Sequence, residues 1–285
     1  MAEKSLLPYH VDYLPDWIVE KAKDELNETD ETRDAIFKEL KQLVEKETKL
    51  NIYWKSDHML MMALRARKFK AKRALGCLKS FHKTKMERPD VFPEKPDLDN
   101  IRKIYDCNFA SSLPYRDEEG CVIIIINMGN WDPEVFPVEI ALSAVVALAL
   151  HSLEEHATQV CGIQAIIDMK TSNLNHVKSI KPKDYKLIGN GLRSALPVRV
   201  KAVHVVNVST VTQVIFNLLK VCLSKKLRKR FHLHTDNMDN LYQYIPKEIL
   251  PPQYGGANID YSASEWCMKE MESYYKKYSE LHINI

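Results

Sequence analysis

Glycine is scarce in this sequence, with eight among 285 residues. Loops that cradle phosphates rely on glycine, and the chain holds no GxxxxGK followed by Ser or Thr, no GxGxxG and no GxSxG. A P-loop, a dinucleotide fingerprint and a nucleophile elbow are therefore excluded. The six cysteines, Cys77, Cys107, Cys121, Cys161, Cys222 and Cys267, form no CxxC pair. In a chain this long they read as reduced, mostly buried thiols rather than a disulfide framework. Long apolar runs are missing too. Ile140 to Leu150 is the longest nearly uncharged stretch, well short of the ~20 residues that cross a bilayer. The N-terminus has no apolar run and carries early acids, unlike a secretory signal. The expected setting is cytoplasmic. Charge of one sign is absent overall. With 41 Lys and Arg against 38 Asp and Glu, the net charge of +3 does not argue for nucleic acid.

The hydrophobic fraction of 45% supports a sizeable core. Residues 15–86 read as helices. Asp30 or Thr32 would cap one bearing Ile36, Leu40, Leu43 and Val44 at helical spacing. A Met-rich segment, Met59 to Leu64, and a helix from Ala71 to Lys85 follow. Three prolines then interrupt residues 88–100, which reads as a boundary. The expected units are a helical lobe over 1–87 and a second lobe over 101–285. Cys121 to Asn127 is a β-branched run between turn signals and reads as a buried strand. Gly162 to Asp168, Val200 to Val208 and Arg230 to His234 read as further strands. Helices are expected over Val138 to Ala157, Lys183 to Leu192, Val211 to Leu227, Asn237 to Ile245 and Ser264 to Tyr278. Such alternation implies crossovers and a largely parallel sheet.

Catalytic chemistry finds little support. The HSLEEH segment sets His151 and His156 five residues apart, or about 140° on a helical wheel. They diverge, whereas a zinc helix needs both on one face. A solvated helix end is the simpler reading. Asp168 ends a strand and suits a loop anchor better than a functional acid. Gly189-Asn-Gly191 sits at a helix end and reads as a cap.

The segment 211–230 is the sharpest feature. Val211, Ile215, Leu218, Leu219 and Cys222 form one stripe, and Val214, Phe216, Val221 and Leu223 widen the apolar arc to about 220°. Only Gln213, Asn217 and Lys220 make a polar strip. An ordinary surface helix needs an apolar face about 100° wide. Either the helix is sandwiched between layers, or it is a lid with one flank on a cavity and another able to meet a membrane. Lys225, Lys226, Arg228, Lys229 and Arg230 follow with no acid among them. An apolar helix joined to a basic end fits a membrane-touching element. No base-stacking aromatic surface accompanies it. A second basic cluster, Arg65 to Arg73, could equally bind acids of the other lobe.

Four segments together resemble the CRAL-TRIO lipid-binding family, above all its tocopherol-transfer and retinaldehyde-binding branch. They are Leu64-Arg-Ala-Arg-Lys-Phe69, Gly162 to Asp168 with His176, Leu196 to His204, and Ile249-Leu-Pro-Pro-Gln-Tyr-Gly-Gly256. The resemblance implies an α/β fold: a helical lobe, then a lobe whose mostly parallel sheet floors an apolar cavity gated by a helix. It implies pocket positions at Phe136, Ile140 and Ser143 on the first long helix and Ile163 on a strand. Ile188, Leu192, Leu196, Val198 and Val203 would form the far wall. Val211, Ile215, Leu218, Leu219 and Leu223 would line the gate. Arg199, Lys201, Lys226 and Arg230 match four basic positions that receive a phosphoinositide headgroup. Glu139 and Thr171 depart from the family pattern, at a wall position and at a usual glycine. The implied protein is a non-enzymatic monomeric carrier with no cofactor. It would hold a tocopherol-, retinoid-, carotenoid- or terpenoid-like molecule and exchange it during transient contact with phosphoinositide-bearing membranes. A phospholipid exchanger and a lipid-sensing adaptor are the alternatives on the same fold.

Overall fold

The computed structural model describes residues 6–48, 50, 55–93, 97–235, 238–257 and 262–283. Four helices open the chain: α1 (Asp16–Leu26), α2 (Asp30–Glu45), α3 (Asp57–Ala66) and α4 (Ala71–Glu87). The cap of α2 is Thr29, one residue before the expected positions. Its hydroxyl accepts from Thr32 N at 3.2 Å, and Thr32 Oγ1 accepts from Thr29 N at 3.0 Å. This reciprocal pair satisfies two backbone donors that the helix start leaves open. Ile18, Leu26, Leu40, Leu60, Leu64 and Phe81 close the core between these helices. Beyond the proline-containing stretch, of which residues 94–96 lie outside the described residues, a helix α5 (Leu98–Asp106) appears where no element was expected. Asp97 caps it through Asn100 N at 3.1 Å.

The sheet has the order β1-β2-β3-β4-β5, from Ala110–Ser112, Val122–Asn127, Ile163–Asp168, Val200–Val206 and Phe231–Leu233. β1 is antiparallel to β2, and the rest are parallel. The three-residue β1 was not expected, because so short a run carries no periodicity. The crossovers are α6 (Val138–Ser152) with α7 (His156–Cys161), α8 (Leu174–Ser179) with α9 (Pro182–Asn190), and α10 (Thr210–Cys222) with α11 (Lys225–Arg228). A short α12 (Asp239–Tyr242) and the long α13 (Ala263–Ile283) complete the chain. Asn237, the expected start of the α12 segment, lies outside the described residues.

Two long helices expected from the sequence are each divided. Val138 to Ala157 breaks after Ser152. The Ser152 hydroxyl turns back onto Leu148 O at 2.8 Å, and Gln159 Nε2 takes Leu153 O at 2.8 Å. Side chains thus satisfy the backbone that a continuing helix would use. Val211 to Leu227 breaks at Leu223, which is extended (φ −92°, ψ 139°). Ser224 then caps α11 through Leu227 N at 3.3 Å. A serine in the middle of the expected helix starts a new one.

One sheet face packs Ile123, Ile125, Ile166 and Val206 under α12 and the turns at 247–254. The opposite face, with Val122, Ile124, Ile163, Val203 and Val205, joins α6 in the main core. α6 has no fully exposed residue from Val138 to Ser152.

Candidate functional site

Ala165 and Ile167 lie in the central strand β3, with β2 and β4 paired on either side. Both are only half-buried, as is Ile126 beside them on β2. They pack against the main core without being fully covered by it. The other expected wall positions Ile140 on α6, Ile188 on α9, and Leu192 and Leu196 in and after the π-helical turn that follows it are half-buried too, as are Val211 and Ile215 on α10. Ser143 is brought elsewhere: it lines a small cavity with Phe92, Val146, Leu150 and Tyr274. Phe136, Ile163, Val198, Val203, Leu219 and Leu223 are buried at 9% exposure or less. Leu218 stands apart from the other gate positions. It is 45% exposed, on the outer side of α10 with Val214 at 40% and Val221 at 81%.

α10 packs chiefly on α9 and α8. Its start is fixed by Ser209, whose hydroxyl accepts from Thr212 N at 3.3 Å while Thr212 Oγ1 accepts from Ser209 N at 2.9 Å. Just before it Asn207 adopts a left-handed backbone (φ 54°), and its amide donates to Asp168 Oδ1 at 2.7 Å. Asp168 also accepts from Lys170 N at 2.8 Å. It is a loop anchor, as its place at a strand end suggests. Along its length α10 meets α9 at Gly189, where an added Cβ would lie 2.7 Å from both the Cβ and the carbonyl oxygen of Cys222. Gly189→Val should therefore push α10 off α9, at about 1–3 kcal/mol of overpacking. Thermal melting of the two proteins would measure the loss.

At the end of α10 the four expected basic positions come together. Arg199, Lys201, Lys226 and Arg230 line one cleft of about 360 Å³. Arg199 and Lys201 come from the start of β4, Lys226 from α11, and Arg230 from the turn before β5. Gly162 (φ 94°) lets β3 begin hard against Arg199; a Cβ there would meet the Arg199 carbonyl oxygen at 2.3 Å. The cleft also contains Lys68, Arg193 and an acid, Glu25, none of which the sequence reading placed here. Lys68 comes from the α3–α4 turn, where it and Phe69 take left-handed backbone angles of 55° and 49°. That turn geometry has no sequence signal, although Lys68 belongs to the second basic cluster. Lys201 donates to Glu25 at 2.9 and 3.2 Å, and Arg199 also pairs with Glu25. The second guanidinium nitrogen of Arg199, Nη1, is buried without a partner. Among the described residues Lys68 and Lys226 have no ion pair. The crowding registers in the acidity of Lys226 and Arg230. Arg230, then burial, Lys68 and Arg199 push the Lys226 ammonium below its ordinary value. Burial and Arg199 do the same to Arg230.

The remaining candidates have structural partners. His151 is buried against Tyr9 OH at 2.9 Å and Glu270 at 3.5 Å. His156 accepts from Arg65 at 3.1 Å. Among the described residues no cluster of His, Cys, Asp and Glu could hold a metal ion, and no helix is long and apolar enough to cross a membrane. Glu139 pairs with Lys183 at 2.9 Å, tying α6 to α9. Thr171 takes a left-handed backbone (φ 61°), a conformation that glycine adopts without strain.

The CRAL/TRIO domain family model matches residues 108–256, which span β1 to the closing turns. The chain belongs to the CRAL/TRIO family. It is 31% identical over 260 residues to the mouse protein named alpha-tocopherol transfer protein-like, covering 91% of this chain and 75% of that one. It is 27% identical over 267 residues to rat clavesin-2, covering 93% and 82%. The crystal structure of Sfh5 superimposes with a TM-score of 0.50 at 16% identity, covering 90% of this chain and 92% of Sfh5, a likeness of fold. As expected from the sequence, a helical region precedes a mostly parallel sheet with flanking helices; its fifth strand, β1, was not expected.

Proposed function

We propose that this CRAL/TRIO protein carries one apolar small molecule between the sheet and α10, and exchanges it at membranes whose lipids bear phosphorylated headgroups. The observation that carries the reading is the surface of α10. Its inner side packs on α9 and α8 with Leu219 buried and Val211 and Ile215 half-buried, its outer side leaves Val214, Leu218 and Val221 bare, and its end opens onto the cationic cleft. In water, swinging such a helix outward exposes apolar surface at about 25 cal/mol per Å². At a bilayer the same surface enters lipid, so opening costs little there. Each buried CH₂ of the ligand contributes about 0.8 kcal/mol to holding it in the closed state. The cleft positions the cations to engage anionic headgroups first. No bond is made or broken in this cycle. The expected wall positions support an apolar ligand: all but Ser143 are apolar, and Glu139 is held by Lys183. A tocopherol-, retinoid-, carotenoid- or terpenoid-like molecule suits them. The relatives named for tocopherol transfer support the same class.

The test is native mass spectrometry of the purified protein, followed by organic extraction. The expected result is a single bound species that extracts as an apolar terpenoid-like molecule, or, for protein purified empty, uptake of such a molecule at one-to-one stoichiometry. Recovery of a phospholipid would make the protein an exchanger instead. Failure to retain or take up any apolar molecule would remove the carrier reading.

A further inference from the structure

The cationic cleft already holds an anion, the Glu25 carboxylate. It reaches in from the last turn of α1, across from the sheet, and meets both Arg199 and Lys201. Burial raises its pKa, but Lys201 and Arg199, with Lys21 behind them, outweigh that, and the net shift is downward. Glu25 is therefore a charged counter-ion in the cleft. It occupies only part of it. Lys226, Lys68 and one nitrogen of Arg199 are left without a partner among the described residues. A second feature makes Glu25 displaceable: Lys21 stands one turn back on α1, with its ammonium 4.0 Å from the Glu25 carboxylate. A carboxylate that leaves Arg199 and Lys201 finds a cation at hand, which it would share with Glu119. Glu25 is also a third exposed, so water can follow it out.

We propose that Glu25 is an internal competitor that sets the charge threshold of the cleft, so that only multiply phosphorylated headgroups displace it. This rests on the cleft's being an anion site, as the proposed function has it. A single phosphate or carboxylate brings little more charge than Glu25 itself and must compete with a group tethered in place, at high effective concentration. A headgroup with two or more phosphates reaches Lys226, Lys68 and Arg230 as well, and wins on contacts that Glu25 cannot make. Charge-assisted contacts of this kind are the strong ones. The recognising chemistry is a cluster of phosphates on one small ring, and a lipid headgroup or a soluble inositol polyphosphate would both supply it.

The experiment uses the full chain and three proteins: wild type, Glu25→Gln and Glu20→Gln. Glu20 lies on the same helix but is exposed, and among the described residues it pairs only with Lys23, at 3.7 Å. Its substitution adds the same charge outside the cleft. One arm titrates soluble inositol hexakisphosphate by calorimetry. The other measures sedimentation with phosphatidylcholine vesicles containing either phosphatidylinositol bisphosphate or phosphatidylserine. Thermal melting of each protein establishes that it is folded. Glu25→Gln should bind both polyphosphate probes about three- to ten-fold more tightly than Glu20→Gln, the scale of losing one partly screened ion pair. Its gain on phosphatidylserine vesicles should be proportionally larger, because a single charge no longer meets a competitor. Tightening in the vesicle arm alone would assign the site to lipid, and tightening in both arms to the headgroup chemistry itself. Equal binding by Glu25→Gln and Glu20→Gln, with wild type binding the polyphosphates, would overturn the competitor role and leave the anion site standing. No binding by any of the three would remove both.

Discussion

Replacing Lys226 and Arg230 together with glutamine should slow ligand transfer to phosphoinositide-containing vesicles by about thirty-fold. Two cations near an anionic surface are worth about 1 kcal/mol each, and 2 kcal/mol is about thirty-fold in affinity. Equilibrium ligand binding should stay within about two-fold, because neither side chain belongs to the apolar wall proposed to hold the ligand. The electrostatic setting of the cleft sharpens this. Lys226 is pushed below its ordinary value first by Arg230, so the two repel in the empty protein. Removing one relieves the other, and the single variants should not sum to the double. The same repulsion predicts a reversed sign in stability. Lys226→Gln should melt no lower than wild type, and slightly higher at low salt, where repulsion is least screened. Dequenching of a fluorescent apolar ligand between donor and acceptor vesicles gives the transfer rate, and raising the salt should erase most of the wild-type advantage. A double variant that transfers at the wild-type rate, with ligand affinity intact, would remove the cleft from the exchange cycle.

How much of this was legible in the sequence differs between parts of the molecule. The parallel strands announced themselves because both faces are covered, and Val122 to Asn127 reads as one β-branched run. The helix boundaries did not. Ser152 and Ser224 are ordinary polar residues on paper, and only the backbone groups they satisfy turn them into a break and a cap. β1 is too short for periodicity, and it exists because Ala110 to Ser112 find β2 beside them. The cleft was legible in halves. Two basic pairs some 25 residues apart matched a family pattern, and the fold joined them. Lys68 and Glu25 were beyond reach, since the left-handed turn at Lys68 and the approach of α1 to β4 are tertiary facts. The orientation of Leu218 was missed for a related reason. Periodicity finds an apolar arc wider than one face but does not say which part of it faces out, and the packing of α10 on α9 and α8 decides that.

Arg65→Ala should destabilise the protein more than any surface change in the cleft, by about 3–5 kcal/mol, the scale of leaving a buried charge without its partner. In a chain of this size that corresponds to a fall in Tm on the order of 10 °C. Arg65 is 1% exposed. Its Nε and Nη2 hold both oxygens of Glu28 at 2.9 and 2.7 Å, and its Nη1 donates to Gln159 Oε1 at 2.8 Å and His156 Nδ1 at 3.1 Å. One guanidinium thus joins α3, the turn between α1 and α2, and α7, which links the helical region to the sheet. The second basic cluster thus uses this residue on an acid of its own helical region, Glu28. Arg65→Lys should recover only part of the loss, since an ammonium cannot make the paired contact to Glu28 while reaching Gln159. His156 supplies an independent readout. Because Arg65 donates to Nδ1, the ring must be unprotonated there. Burial, then Arg65, hold its pKa below the ordinary 6.5. A histidine whose folded pKa lies below its unfolded one binds fewer protons in the native state, so it lowers stability as pH falls through 6.5. Removing Arg65 takes away the second of those causes, so the His156 pKa should rise and its share of the acid sensitivity should shrink. Melting curves from pH 8 to pH 5 should show the gap between wild type and Arg65→Ala narrowing as pH falls. A constant gap across that range would mean that His156 does not feel the guanidinium, and that the loss comes from Glu28 and Gln159 alone.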